Sequence, residues 1–127
     1  MNVLDENITD DQRQLQLRWR IHVRQIGHEV GRAGAKDDAI IPILHGLRQV
    51  TFFTRDQDFD KAHLCHGSYC LVYLAVRRRQ TAEFIRRFPR HPAFDTRVKR
   101  EGLVARVSDA GIHVWRLHGK QEDEVPW

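Results

Sequence analysis

Only two cysteines, Cys65 and Cys70, occur in the 127 residues. Two thiols cannot make a disulfide framework, and in a reducing compartment they are expected to stay free. Long apolar runs are lacking as well. The longest, Cys70 to Val76, spans seven residues, against the roughly 20 that a membrane-crossing helix needs. No membrane is expected as a partner. The opening MNVLDEN carries acids where a secretory leader would carry a basic segment and then an apolar one, so the expected location is the cytoplasm. The only two serines, Ser68 and Ser108, both fall in predicted turns with no histidine and acid in a recognisable order around them, which leaves no serine-nucleophile chemistry to argue for. Neither repeats nor low-complexity segments occur.

Acids are scarce in one region and gathered in another. Residues 1–60 hold ten acids and eight bases, a net −2, whereas residues 61–127 hold thirteen bases and seven acids, a net +6. Between residues 77 and 100 there are nine bases and two acids. A polyanion would be drawn to the second half, while the first half could hold cations. Hydrophobic residues at 41% and charged residues at 30% fit one soluble globular domain over 1–127.

Along the chain, Val3 and Leu4 predict a short strand that runs out into Asp5, Glu6 and Asn7. Thr9-Asp10-Asp11-Gln12 has capping-box spacing and predicts a helix to about Leu17. Alternation from Trp19 to Ile26 reads as a half-exposed strand, and Gly27, Gly31 and Gly34 mark a loop. Asp37 or Asp38 can cap a second helix, with Pro42 tolerated near its first turn and Gly46 closing it. Val50–Thr54 and Leu71–Val76 are almost unbroken apolar runs, as in strands covered on both faces of a parallel sheet, with a polar loop over 60–69 between them. A helix is predicted from Arg79 to Phe88, stopped by Pro89 and Pro92. Leu103–Val107 and Ile112–Leu117 flank Ser108-Asp109-Ala110-Gly111 and read as a hairpin. The expected fold is α/β: a mainly parallel central sheet flanked by helices, with a C-terminal hairpin and a loose tail over 119–127.

Ligands of open α/β sheets sit beyond the carboxyl ends of the strands. Asp5 follows the first predicted strand, Asp56 and Asp58 follow the third, and Asp37 opens the second helix. If the alternation is regular, these four carboxylates share a rim, and oxygen ligands of that kind suit Mg²⁺ or Mn²⁺. Each acid also has a plainer reading: Asp37 as a helix cap, Asp56 and Asp58 as a polar turn, and Glu6, Asp10, Asp11 and Asp60 as solvated surface acids.

The runs VLDEN at 3–7, G-x-x-D-x-x-I at Gly34, Asp37 and Ile40, and TRDQDF at 54–59 together resemble the PIN-like family often attached to toxin–antitoxin systems. The resemblance covers roughly residues 2–76. It implies a PIN-like domain, Mg²⁺ or Mn²⁺ bound by Asp5, Asp37, Asp56 and Asp58 as the catalytic acids, hydrolysis of RNA, and an antitoxin protein as a further partner; a homo-oligomer stays open. The stretch from Arg18 to Glu29 departs from that family in being unusually rich in arginine and histidine, and residues 77–127 match no motif of it.

Arg77, Arg78, Arg79, Arg86, Arg87 and Arg90 are the expected RNA-binding face, with Phe94 and Trp115 as candidate stacking rings. The plainer readings are a solvated helix face and core aromatics. His63, Cys65, His66 and Cys70 crowd one loop, but their spacing matches no common zinc site. Two rivals to a metal-dependent ribonuclease remain: a non-catalytic RNA- or partner-binding module on the same fold, and a receiver-type signalling domain. The latter would need a lysine on a late strand, which Leu71–Val76 does not offer.

Overall fold

The computed structural model describes residues 1–127, apart from the side chain of Asp37. Its elements run β1 (Asn2–Leu4), α1 (Asp10–Arg18), β2 (Arg24–Gln25), α2 (Asp37–His45), β3 (Val50–Thr54), β4 (Tyr69–Leu74), α3 (Thr81–Arg90), α4 (Arg97–Arg100), β5 (Leu103–Ser108), β6 (Gly111–Arg116) and β7 (Asp123–Val125). The seven strands form one sheet in the order β2-β1-β3-β4-β5-β6-β7. The first five are mutually parallel, and β6 and β7 run antiparallel to their neighbours. This is an α/β fold with a mostly parallel sheet. Among the described residues no helix is long and apolar enough to cross a membrane.

The apolar runs explain the sheet's centre. Every residue of β3 is buried, because alternate side chains feed two cores. Phe53 joins Leu4, Val72, Phe84 and Phe88 on one face. Phe52 joins Val3, Leu71, Ile40 and Leu44 on the other. Each of the two phenylalanines contributes about 1.5–3 kcal/mol by burial. Helix α3 covers the first face and α2 the second, so a strand such as β3 has no solvated side on which a polar residue could sit without a partner.

Strand order reverses between β1 and β3: the chain leaves β1 for β2 on one side, then returns to β3 on the other. In this order of doubly wound sheet the reversal opens a crevice at the carboxyl ends of those two strands.

Several local expectations shift. The predicted strand Trp19–Ile26 pairs with β1 only through Arg24 and Gln25, since Arg20 adopts a left-handed φ of 60° that bends the chain away from the sheet. Helix α1 begins at Asp10 after Thr9, but the Thr9 side chain makes no capping bond. Gln12 is instead buried, its Oε1 accepting from the Ala82 N–H at 2.9 Å, while Gln16 Nε2 donates to the Ala82 carbonyl at 2.8 Å. Lys36, not Asp37 or Asp38, holds the N-cap position of α2, and Pro42 lies inside the helix beyond its first turn. A 3₁₀ turn over Arg78–Gln80 precedes α3, which starts at Thr81.

The tail is not loose. Asp123–Val125 adds β7 to β6, and the Trp127 indole N–H donates to the Ser108 carbonyl at 2.6 Å. Glu122 and Asp60 both accept from the Arg106 guanidinium at 2.8 Å, which ties β5 to the segment after β3.

Candidate active site

Asp5 is the first residue after β1, and its backbone N–H still donates to the Phe53 carbonyl at 2.8 Å. That bond fixes the residue at the crevice between β1 and β3. Its side chain is only 6% exposed, so its oxygens need partners. Oδ2 accepts from the Thr54 hydroxyl at 2.6 Å, and Oδ1 accepts from the Glu6 N–H at 2.7 Å. Gln25 Nε2 donates to the Asp5 carbonyl at 3.0 Å and locks the backbone.

Thr54 is the pivot. It is fully buried at the end of β3, and its Oγ1 accepts from the Asp56 N–H at 3.0 Å while its proton goes to Asp5. The two strand ends are thus joined through one hydroxyl. Asp56 Oδ1 in turn accepts from the Asp58 N–H at 2.9 Å, which curls residues 57–59 into a single 3₁₀ turn. Burial pushes the Asp5 carboxyl above its ordinary value, the Thr54 hydroxyl and Glu6 N–H pull it back, and the Asp56 and Glu6 charges raise it again. A desolvated carboxylate beside a second one attracts a cation.

The four acids expected to share a rim divide. Asp5 and Asp56 meet through Thr54. Asp58 lines a separate pocket with Asp38. The Asp37 side chain lies outside the described residues. Among the described residues no three His, Cys, Asp or Glu side chains form a metal-holding group. The residues at the crevice fit a hard divalent cation in donor type: each Asp5 oxygen accepts one hydrogen bond and keeps a further lone pair, and Asp56 Oδ2 accepts none among the described residues.

Sequence reasoning passed over Thr54, Glu6, Asn7 and Arg55. Arg55 donates from its N–H to Asn7 Oδ1 and from its guanidinium to the Val76 carbonyl, both at 3.3 Å, so it binds three strand ends into one rim. Glu6 Oε2 accepts from the Gly34 N–H at 2.8 Å. The available signal was a threonine closing an otherwise aromatic run directly before an acid-rich turn.

The arginines also divide. Arg77, Arg78 and Arg79 are exposed directly after β4, on the same rim as Asp5 and Asp56. Arg78 contacts Asp11 at 3.3 Å, an exposed pair of small energetic consequence. Arg86 lies over the Trp19 ring at 3.9 Å and bonds Glu83, while Arg87 is held between Phe84 and Trp127 at 4.9 and 4.2 Å. Arg90 closes α3, about 13.5 Å along its axis from Thr81. Phe94 is fully buried and stacked on Phe88 at 4.6 Å, so it is a core ring and cannot stack on a base. Trp115 is partly buried against the second core. Cys70 is also core, its thiol pushed up to about 12 by burial, and Cys65 Sγ turns to the Trp115 carbonyl at 3.4 Å.

Substitution should separate the two arginine groups. If RNA phosphates lie along this rim, changing Arg77, Arg78 and Arg79 together to glutamine weakens that binding alike for different sequences and flattens its salt slope by about one unit per lost phosphate contact. Arg87→Ala is expected to lower stability by about 1 kcal/mol through the lost ring contacts and to leave the slope unchanged. Salt-dependent binding and thermal melting of both variants check this; an unchanged slope in the triple variant would make residues 77–79 ordinary surface.

Neither a protein-family model, nor a curated protein, nor a solved structure matches this chain.

Proposed function

We propose that the protein is a divalent-metal-dependent ribonuclease of PIN-like type, with Asp5 and Asp56 as the acids that hold the cation. The observation that carries this reading is the junction of two strand ends at the reversal of strand order, where one buried threonine hydroxyl joins a desolvated carboxylate to the backbone of a second acid. When bound, Mg²⁺ or Mn²⁺ supplies Lewis-acid chemistry for phosphodiester hydrolysis. The chain's own residues orient and bind. Thr54 and the Glu6 N–H hold the Asp5 carboxylate in one rotamer, Asp58 N–H does the same for Asp56, and Arg77, Arg78 and Arg79 offer positive charge to the strand's phosphates.

The strand order β2-β1-β3-β4-β5 is also that of receiver-type domains. That reading wants a lysine late in the sheet, and β5, LVARVS, has none; its one basic residue, Arg106, is engaged by Asp60 and Glu122.

Incubating the purified chain with single-stranded RNA and Mn²⁺, with and without chelator, tests the proposal. Cleavage that the chelator stops is expected. RNA binding without cleavage would replace the ribonuclease by a non-catalytic binding module.

A further inference from the structure

A pocket of about 340 Å³ opens beside the acidic rim, between the first turn of α2 and the segment that follows β3. Small-molecule sites start at about 300 Å³, so its size suits a single ring system. Ile41, Phe59 and Leu64 give it an apolar wall, and Asp38, Asp58, Lys61 and His63 line the rest. Two acids and two bases facing one hollow would be expected to neutralise each other. Here none of the four is joined to another by a salt bridge among the described residues.

The ligand such a pocket recognises is flat and apolar on its faces, donates along one edge and accepts along another. Guanine has that pattern. Its N1–H and N2–H₂ form a donor pair that one carboxylate accepts in bidentate fashion, its O6 and N7 accept from an ammonium or an imidazole N–H, and its faces can lie against Ile41 and Leu64. Uracil presents one N–H donor between two carbonyls, and adenine lacks the O6 acceptor. Neither uses both halves of the pocket.

The pocket is coupled to the rim by the chain itself. Asp58 donates its N–H to Asp56 Oδ1 at 2.9 Å, and two residues of chain span at most roughly 7 Å. A base seated against Asp58 therefore lies close to whatever phosphate sits at Asp56. We propose that this pocket seats a guanine of the RNA strand next to the scissile phosphate. The inference rests on the ribonuclease reading for its role in cleavage, but not for the binding itself.

Titrating GMP, AMP and UMP into the full chain in the presence of chelator, by calorimetry and by the NMR signal of the His63 imidazole, tests the binding. GMP is expected to bind about tenfold or more tightly than UMP, with the His63 signal shifting. At least one of Asp38→Asn and Asp58→Asn, whichever removes the carboxylate that takes the N1–H and N2–H₂ edge, should weaken GMP about tenfold and leave UMP unchanged, with melting temperatures like the wild type showing that both variants are folded. Equal affinity for the three nucleotides, or GMP binding that ignores both substitutions, overturns the proposal. Cleavage of oligoribonucleotides with and without guanine, in Mn²⁺, is read separately. Selective GMP binding with no cleavage keeps the pocket and removes the ribonuclease, whereas cleavage indifferent to guanine keeps the ribonuclease and removes the pocket's role.

Discussion

Asp5→Asn is expected to reduce Mn²⁺-dependent RNA cleavage by more than about a hundredfold while leaving the chain folded. The amide keeps the shape of the carboxylate: its Oδ1 can still accept from the Glu6 N–H, and its Nδ2 donates to the Thr54 hydroxyl instead of accepting from it; what it loses is the negative charge. Asp56→Asn is expected to behave in the same way, since its Oδ1 can still accept from Asp58. Thr54→Val supplies the graded control. It removes no acid, only the hydroxyl between Asp5 and the Asp56 backbone, and outer partners of a metal ligand are typically worth about 10–100-fold in affinity or activity. Single-turnover cleavage rates for the three variants should therefore fall in the order Thr54→Val, then either asparagine variant. Near-wild-type rates in both asparagine variants would remove the crevice as the catalytic site.

A second large effect concerns stability, and its direction follows from the raised pKa of Asp5. Burial holds that carboxyl above its ordinary value of 3.8, so over the interval between the two values the folded chain keeps a proton that the unfolded chain has released. The resulting stabilisation is complete below about 3.8 and is lost as pH rises through the folded value. In chelator at pH 7, Asp5→Asn, which carries no charge to desolvate, should melt above the wild type, by about 4 °C for each kcal/mol relieved at this chain length. Near pH 4 the gap should close. Adding Mn²⁺ at a hundred times its Kd should then stabilise the wild type by about 2.7 kcal/mol and the variant far less, so the order of melting temperatures reverses. Melting curves that move in parallel through pH and Mn²⁺ would mean that Asp5 neither carries a burial cost nor binds a cation.

How far the sequence could be read depended on whether a residue's partner was near it in the chain. The parallel strands were legible because VTFFT and CLVYL are apolar on both faces, a pattern that needs no knowledge of what covers them. The need of Asp5 for partners was legible for a related reason: a carboxylate directly after apolar residues at a strand end cannot be left unpaired. Gln12 was misread because its capping-box spacing is a local signal, whereas the Ala82 backbone that outcompetes the cap lies 70 residues away. Thr54 was overlooked as a junction because its two partners come from different strand ends, and Asp58 was grouped with Asp56 because sequence proximity does not reveal that, past the 3₁₀ turn, Asp58 lines a pocket with Asp38 that Asp56 does not line. The tail looked loose because QEDEVPW is polar, and the anchors that fix it, Arg106 and the Ser108 carbonyl, lie on the other side of a turn.

The Asp60–Arg106–Glu122 tie orders events during synthesis. Asp60 leaves the ribosome long before Arg106, and Arg106 before Glu122, so the segment carrying Asp56 and Asp58 has no partner on β5 until 46 further residues have been made. Arg106 gains its second carboxylate only 16 residues after that. A nascent chain can thus assemble β1, β2 and β3 around the Asp5 crevice early, while the turn beside it is secured only once β5 and Glu122 have been made.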